Sequence, residues 1–213
     1  MLPIVTDERR ELAVKDVRAW RAWLAKHHAE PDGVWLVLAK KGTTRPTRLT
    51  HQDALEEALC FGWIDAQARR RDDATSLQRF TPRRARSPWS KRNVGIAERL
   101  IEEGRMQAAG LAEIARAKAD GRWEAAYAGS ADIEVPPELD RALAASPEAR
   151  QRFGRLSGQN RYAVLYRVTT AKRSETRERR AEQFVEMLLR GETPYPQKQP
   201  IEEPGSPRTR RRG

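Results

Sequence analysis

Residues 63–82 read WIDAQARRRDDATSLQRFTP. Trp63–Arg71 and Thr75–Pro82 have strand composition, and Asp72-Asp73-Ala74 between them has turn composition, so the segment predicts a β-hairpin. Upstream, VWLVLA at 34–39 is too short and too β-prone for a helix and predicts a central strand. Pro31-Asp32-Gly33 separates it from a helix that begins near Asp16, with Val17, Trp20, Trp23 and Leu24 at helical spacing. A short strand is expected over Arg10–Val14. Thr50 opens another helix with Asp53 as its capping-box partner and Ala54, Leu55, Ala58 and Leu59 as its apolar face. Gly62 stops that helix and starts the hairpin.

Downstream of the hairpin the periodicity turns helical. Ser90–Glu103 closes at Gly104, Gln107–Asp120 closes at Gly121, and Pro136-Pro137 opens a short helix that stops before Pro147. Further helices are expected near 147–156, 159–172 and 175–190, the last burying Ala181, Phe184, Val185 and Leu188. Strands confined to the first 85 residues, followed by helices, predict an α+β fold. The expected architecture is a small antiparallel sheet of about four strands packed with a mostly helical C-terminal half. Without a Gly/Ser/Pro linker between the halves, the reading is one domain over 1–195. A Pro/Arg-rich basic tail, expected to be disordered, occupies 196–213.

The chain is 38% hydrophobic and 33% charged, polar for a globular protein, but its apolar residues cluster periodically enough to build a core. No stretch approaches the roughly 18 apolar residues of a membrane span. Met1–Glu11 lacks a basic-then-apolar segment, so no secretory signal is expected and the expected location is cytoplasmic. One cysteine, Cys60, excludes an internal disulfide. The net charge of +11 raises the prospect of an anionic small molecule or a polyanion as partner, while a composition in which alanine and arginine replace isoleucine and lysine across the chain produces the same charge without one. Five basic and two acidic residues from Lys198 onward carry +3 of that charge, so the rest of the chain is itself basic.

The densest functional signal runs from Arg69 to Arg92. Arg69, Arg70, Arg71, Arg79, Arg83, Arg84, Arg86, Lys91 and Arg92 stand against Asp72 and Asp73, with Trp63, Phe80 and Trp89 interleaved. Cations neutralise phosphates and aromatic rings stack on bases, so this pattern suits a nucleotide or nucleic-acid surface; a solvated hairpin with structural ion pairs has the same composition. Ser90 at a helix start is a natural cap, and the free N–H groups there, with Lys91, Arg92 and Asn93, suit an anion. Asp65 is placed to pair with Arg79 across the hairpin. Lys172 and Arg173 sit at a helix–helix corner and join the set if the C-terminal helices return to the hairpin. The candidate ligand-binding residues are thus Trp63, Asp65, Arg79, Arg83, Trp89, Ser90, Lys91, Asn93, Lys172 and Arg173.

No catalytic residue, metal site or cofactor is read from the sequence. His51 lies nine positions from Cys60 on the same expected helix, roughly 13 Å along its axis and too far to act as its base. No HxH, HExxH, paired-cysteine or glycine-rich phosphate motif is present. Glu56-Glu57 and Glu102-Glu103 are adjacent on helices and are expected to point apart. The readings are a non-enzymatic ligand-binding protein, a nucleic-acid-binding protein using the hairpin and tail, and an enzyme of unrecognised mechanism.

Several motifs together carry a family resemblance. GVWL at 33–36, LCFGWID at 59–65, QRFTPR at 78–83, WSKRN at 89–93, NRYA at 160–163, TAKR at 170–173 and ETR at 175–177 resemble the YdeI/OmpD-associated, or bacteriocin-protection, family over about residues 10–195. The resemblance implies an accessory role in stress response and resistance to cationic antimicrobial peptides or bacteriocins. It implies a porin association only through the family's name, and no reaction.

Overall fold

The computed structural model describes residues 11–130 and 132–201; the last twelve residues of the expected tail lie outside that range. The chain forms two compact units, Met1–Ala126 and Tyr127–Gly213.

The first unit holds β1 (Glu11–Leu12), α1 (Val17–His27), β2 (Val34–Ala39), α2 (His51–Cys60), β3 (Trp63–Arg70), β4 (Thr75–Pro82), α3 (Lys91–Glu102) and α4 (Ala108–Ala119). Its sheet has the order β1-β2-β4-β3, and the fold is α+β as the strand-then-helix pattern predicts. The β2–β4 and β3–β4 pairs are antiparallel, whereas β1 runs parallel to β2, so the sheet is mixed. A helix intervenes between β1 and β2, which is the crossover that parallel pairing requires.

Local chemistry sets the helix starts. Asp16 accepts a hydrogen bond from the Ala19 N–H, and Thr50 Oγ1 accepts one from Asp53 N–H while donating to the Asp53 carboxylate. Gly33 has φ +69°, and a Cβ there would meet the Phe80 carbonyl at 2.4 Å, so only glycine admits the close approach of β4 to the start of β2. Gly110 lets α4 press on the end of α2: a Cβ there would lie 2.3 Å from the Cys60 carbonyl.

One face of the sheet carries the main core. Trp20, Trp63 and Phe80 are fully buried, and Trp20 meets Trp63 edge-on with ring centres 6.4 Å apart. Trp35, Val37 and Leu77 form a smaller cluster on the other face, with the Arg69 guanidinium 4.4 Å from the Trp35 ring centre.

The second unit holds α5 (Pro137–Ala144), α6 (Pro147–Gly154), α7 (Gly158–Thr169) and α8 (Ser174–Leu189). Leu139, Leu143, Phe153, Val164, Val168, Phe184 and Leu188 fill its core. Ile201 is buried in the same cluster. The preceding segment is held on α7, where Asn160 donates to the Tyr195 carbonyl and accepts from the Tyr195 N–H, at 2.9 and 2.8 Å. Proline content removes helical structure from this stretch but leaves its carbonyls and apolar side chains free to pack.

Candidate functional site

β4 ends at Pro82, and the next residue, Arg83, turns inward. Its N–H donates to the Gly62 carbonyl and its Nη1 to the Pro88 carbonyl, at 3.0 and 3.1 Å. The guanidinium lies 3.7 Å from the centre of the Trp89 ring, and Arg83 is only 6% exposed. A desolvated stack of this kind is worth about 2 kcal/mol. Trp89 in turn packs on Trp123, centre to centre 4.7 Å. The loop between β4 and α3 therefore presents one arginine backed by two indoles.

Arg83 faces a recess of about 320 Å³ whose wall includes Phe61, Trp63, Ala109, Glu113 and Arg116. Trp63 contributes from the core: its Nε1 donates to the His28 carbonyl at 2.7 Å, and its ring meets Trp23 edge-on. Glu113 is buried and paired with Arg116 one turn later and with Arg122 Nη1 at 3.4 Å. Arg122 also donates to the Ser87 carbonyl at 2.9 Å, tying the Arg83 loop to the end of α4. Two buried donors on residues that contact this wall have no acceptor among the described residues: Nε1 of Trp89, whose ring Arg83 stacks on, and Nη2 of Arg122, which pairs with Glu113. An unmet buried donor costs about 1–3 kcal/mol, so the arrangement favours an incoming acceptor.

The other expected residues are placed as follows. Asp65 does not pair with Arg79. In the register Asp65 lies opposite Phe80 and Arg79 opposite Trp35, so alternation puts them on opposite faces of the sheet. Asp65 Oδ2 instead meets His51 Nε2 at 3.0 Å, and Arg79 Nη2 donates to the Asp32 carbonyl at 3.0 Å. Ser90 is the cap of α3, accepting from the Asn93 N–H at 3.2 Å; Lys91 is exposed in the same turn. Lys172 and Arg173 are exposed in the second unit between α7 and α8, and their carbonyls accept hydrogen bonds from Arg177. Trp63, Arg83 and Trp89 are thus joined at one locus, and Ser90, Lys91 and Asn93 share a neighbouring helix start. The hairpin cations are locally matched: Arg70 pairs with Asp73, and Arg71 with Glu11 and Asp72.

Glu56 and Glu57 do not act independently, because Arg105 bridges them at 3.2 and 2.9 Å. Arg21 reaches Glu57 at 2.5 Å and Arg99 reaches Glu56 at 2.6 Å. Burial alone would raise the Glu56 carboxyl, but hydrogen bonds from Gln52, Arg99 and Arg105 hold it below its ordinary range. Cys60 is fully buried beside this network; burial, and then the charge of Glu57, push its thiol up. Both features describe a structural clamp rather than a nucleophile. Among the described residues no group of three or more His, Cys, Asp or Glu is placed to hold a metal ion.

Glu113, Arg116 and Arg122 escaped the sequence reading. Their spacing on and after α4 looks like an ordinary solvated helix face, yet Glu113 is buried and Arg122 reaches both it and the Ser87 carbonyl.

Residues 132–191 match the family model Bacteriocin-protection, YdeI or OmpD-Associated. That match supports the resemblance for the four-helix unit. Residues 12–113 match a second model, for a domain of unknown function (DUF8412), and the motifs around Trp63 and Trp89 fall within it. Arg83, Trp63, Trp89 and Glu113 therefore fall in the DUF8412 segment while Arg116 and Arg122 lie just beyond it, and Lys172 and Arg173 fall in the YdeI/OmpD-associated one. No curated protein and no solved structure gives a significant match to the chain. No helix among the described residues is long and apolar enough to cross a membrane.

Proposed function

We propose that this chain is a non-enzymatic, cytoplasmic accessory protein that recognises a small oxyanion, a carboxylate or phosphate group, in the Arg83 recess. The observation that carries this reading is the coincidence of a buried, indole-stacked arginine with two acceptor-less buried donors, Trp89 Nε1 and Arg122 Nη2. An oxyanion supplies acceptors to such donors and charge to such an arginine, whereas a neutral apolar ligand supplies neither. Its context is the protective role against bacteriocins or cationic peptides that the YdeI/OmpD-associated segment suggests. Binding of nucleic acid through the hairpin is less well supported, because Arg70 and Arg71 already have carboxylate partners.

The test is thermal unfolding of the full chain with inorganic phosphate and with citrate at constant ionic strength. A ligand that binds only the folded state raises the unfolding temperature with concentration. Arg83→Met should remove that rise. Failure of both anions to shift the wild-type protein would refute the reading. A steep log–log dependence of polynucleotide binding on salt would point to the polyanion class instead.

A further inference from the structure

The four-helix unit carries a second basic recess that shares no residue with the first. It is a hollow of about 710 Å³ between the end of α7 and the outer face of α8. Arg167, Arg180 and Arg190 stand around it, and Phe184 and Met187 form its apolar floor.

Charge matching is incomplete there. Arg190 is engaged by Glu192, at 3.1 and 2.9 Å from Nε and Nη2. Arg167 and Arg180 make no ion pair among the described residues. Their hydrogen bonds go to neutral acceptors: Arg167 Nη2 to the Tyr195 hydroxyl at 3.4 Å, and Arg180 Nη1 to the Arg167 carbonyl. A cation at the C-terminus of α7 is favoured by the helix dipole, which accounts for one guanidinium but not for two brought together. Each guanidinium retains several unused donors in a planar fork. Apolar surface adjoins them: Tyr195 is 42% exposed, with the Arg167 guanidinium 5.7 Å from its ring centre.

We infer that this recess binds an anionic amphiphile, a single phosphate, sulfate or carboxylate headgroup carried on an apolar chain. The headgroup sits between Arg167 and Arg180, where paired charge-assisted hydrogen bonds are available. The chain lies along Phe184 and Met187 toward Tyr195. A free inorganic anion satisfies only the first half of this surface, and a neutral lipid only the second.

The experiment is calorimetric titration of the full chain with monododecyl phosphate below its micelle concentration. Inorganic phosphate and dodecyltrimethylammonium serve as comparison probes. Monododecyl phosphate should bind most tightly of the three, by about tenfold or more. Arg167→Gln with Arg180→Gln should weaken it by a similar factor, about tenfold. Gln183→Glu, an exposed position on the recess wall, should do the same by adding a carboxylate while leaving every arginine contact in place. The titrations are repeated on Arg83→Met, which removes the phosphate site proposed for the first unit, and the preference for monododecyl phosphate over the other two probes should persist there. Equal affinity for inorganic phosphate or for the cationic amphiphile would overturn the inference. So would binding to the Arg83→Met protein that survives addition of both the double arginine change and Gln183→Glu.

Discussion

Arg83 and Trp89, six positions apart in the loop that joins β4 to α3, are stacked with the guanidinium carbon 3.7 Å from the ring centre. Neither side chain is more than 6% exposed. The stack holds a full positive charge at the wall of a recess, and replacing either partner should act on the other. Trp89→Ala should cost about 3–5 kcal/mol in denaturant unfolding. Arg83→Lys should not restore wild-type phosphate stabilisation, because an ammonium lacks the planar face that the indole receives.

Glu57 is the buried member of the clamp that joins α1, α2 and the connection between α3 and α4. Glu57→Gln removes the charge that Arg21 and Arg105 share. Breaking a buried pair costs about 3–5 kcal/mol, and the one-third exposure of both arginines puts this case near the low end, about 3 kcal/mol. Equilibrium unfolding in urea measures it. No loss would mean that the clamp is an incidental surface contact.

The pH dependence of stability follows from the carboxylates held below their ordinary range, Glu56 and Glu103 among them. A depressed carboxyl binds its proton in the unfolded chain at higher pH than in the folded one. Its stabilisation is therefore full above about pH 5 and is lost as pH falls through the folded value. Glu56→Gln should flatten the fall in unfolding free energy between about pH 5 and pH 2. An unchanged slope would show that Arg99 and Arg105 do not act through this carboxylate.

Cys60 should resist thiol reagents in the native protein. It is fully buried, and burial with the neighbouring Glu57 charge raises its thiol. Labelling should proceed at the rate of structural opening and accelerate with urea. Rapid labelling in native buffer, complete within seconds, would contradict this.

Gly110→Ala places a Cβ 2.3 Å from the Cys60 carbonyl and 2.8 Å from its carbon. Both are backbone atoms at the end of α2, so α4 must move. The expected cost is about 1–3 kcal/mol, measured as a lower thermal midpoint. The same substitution at Gly95, where a Cβ meets nothing within 4 Å, should be neutral or mildly stabilising.

The elements were readable in the chain because their causes are local. Asp16, Thr50, Ser90 and Ser146 cap helices through side chains three residues from the N–H they accept. The 34–39 run and the two arms of the hairpin become β2, β3 and β4 within a residue of the expected bounds. The site was readable only in part. Alternation says which residues of one strand share a face, but the pairing register decides which faces meet. The irregularity between Asp65 and Ala68 shifts that register within β3. Nothing around Glu113 or Arg122 marks them as partners until Arg122 also reaches the Ser87 carbonyl, distant in sequence.

The linear order of residues thus determined where helices and strands begin and end, and that positive charge gathers beside Trp89. Those are consequences of caps, periodicity and composition, which act over a few positions. Only the folded chain decided that Asp65 turns to His51 and not to Arg79, that one arginine binds Glu56 and Glu57 together, and that Arg167 and Arg180 stand unmatched over an apolar floor. Each of these depends on contacts between segments distant in sequence, and the burial that gives such charges their energy exists only once those segments close on one another.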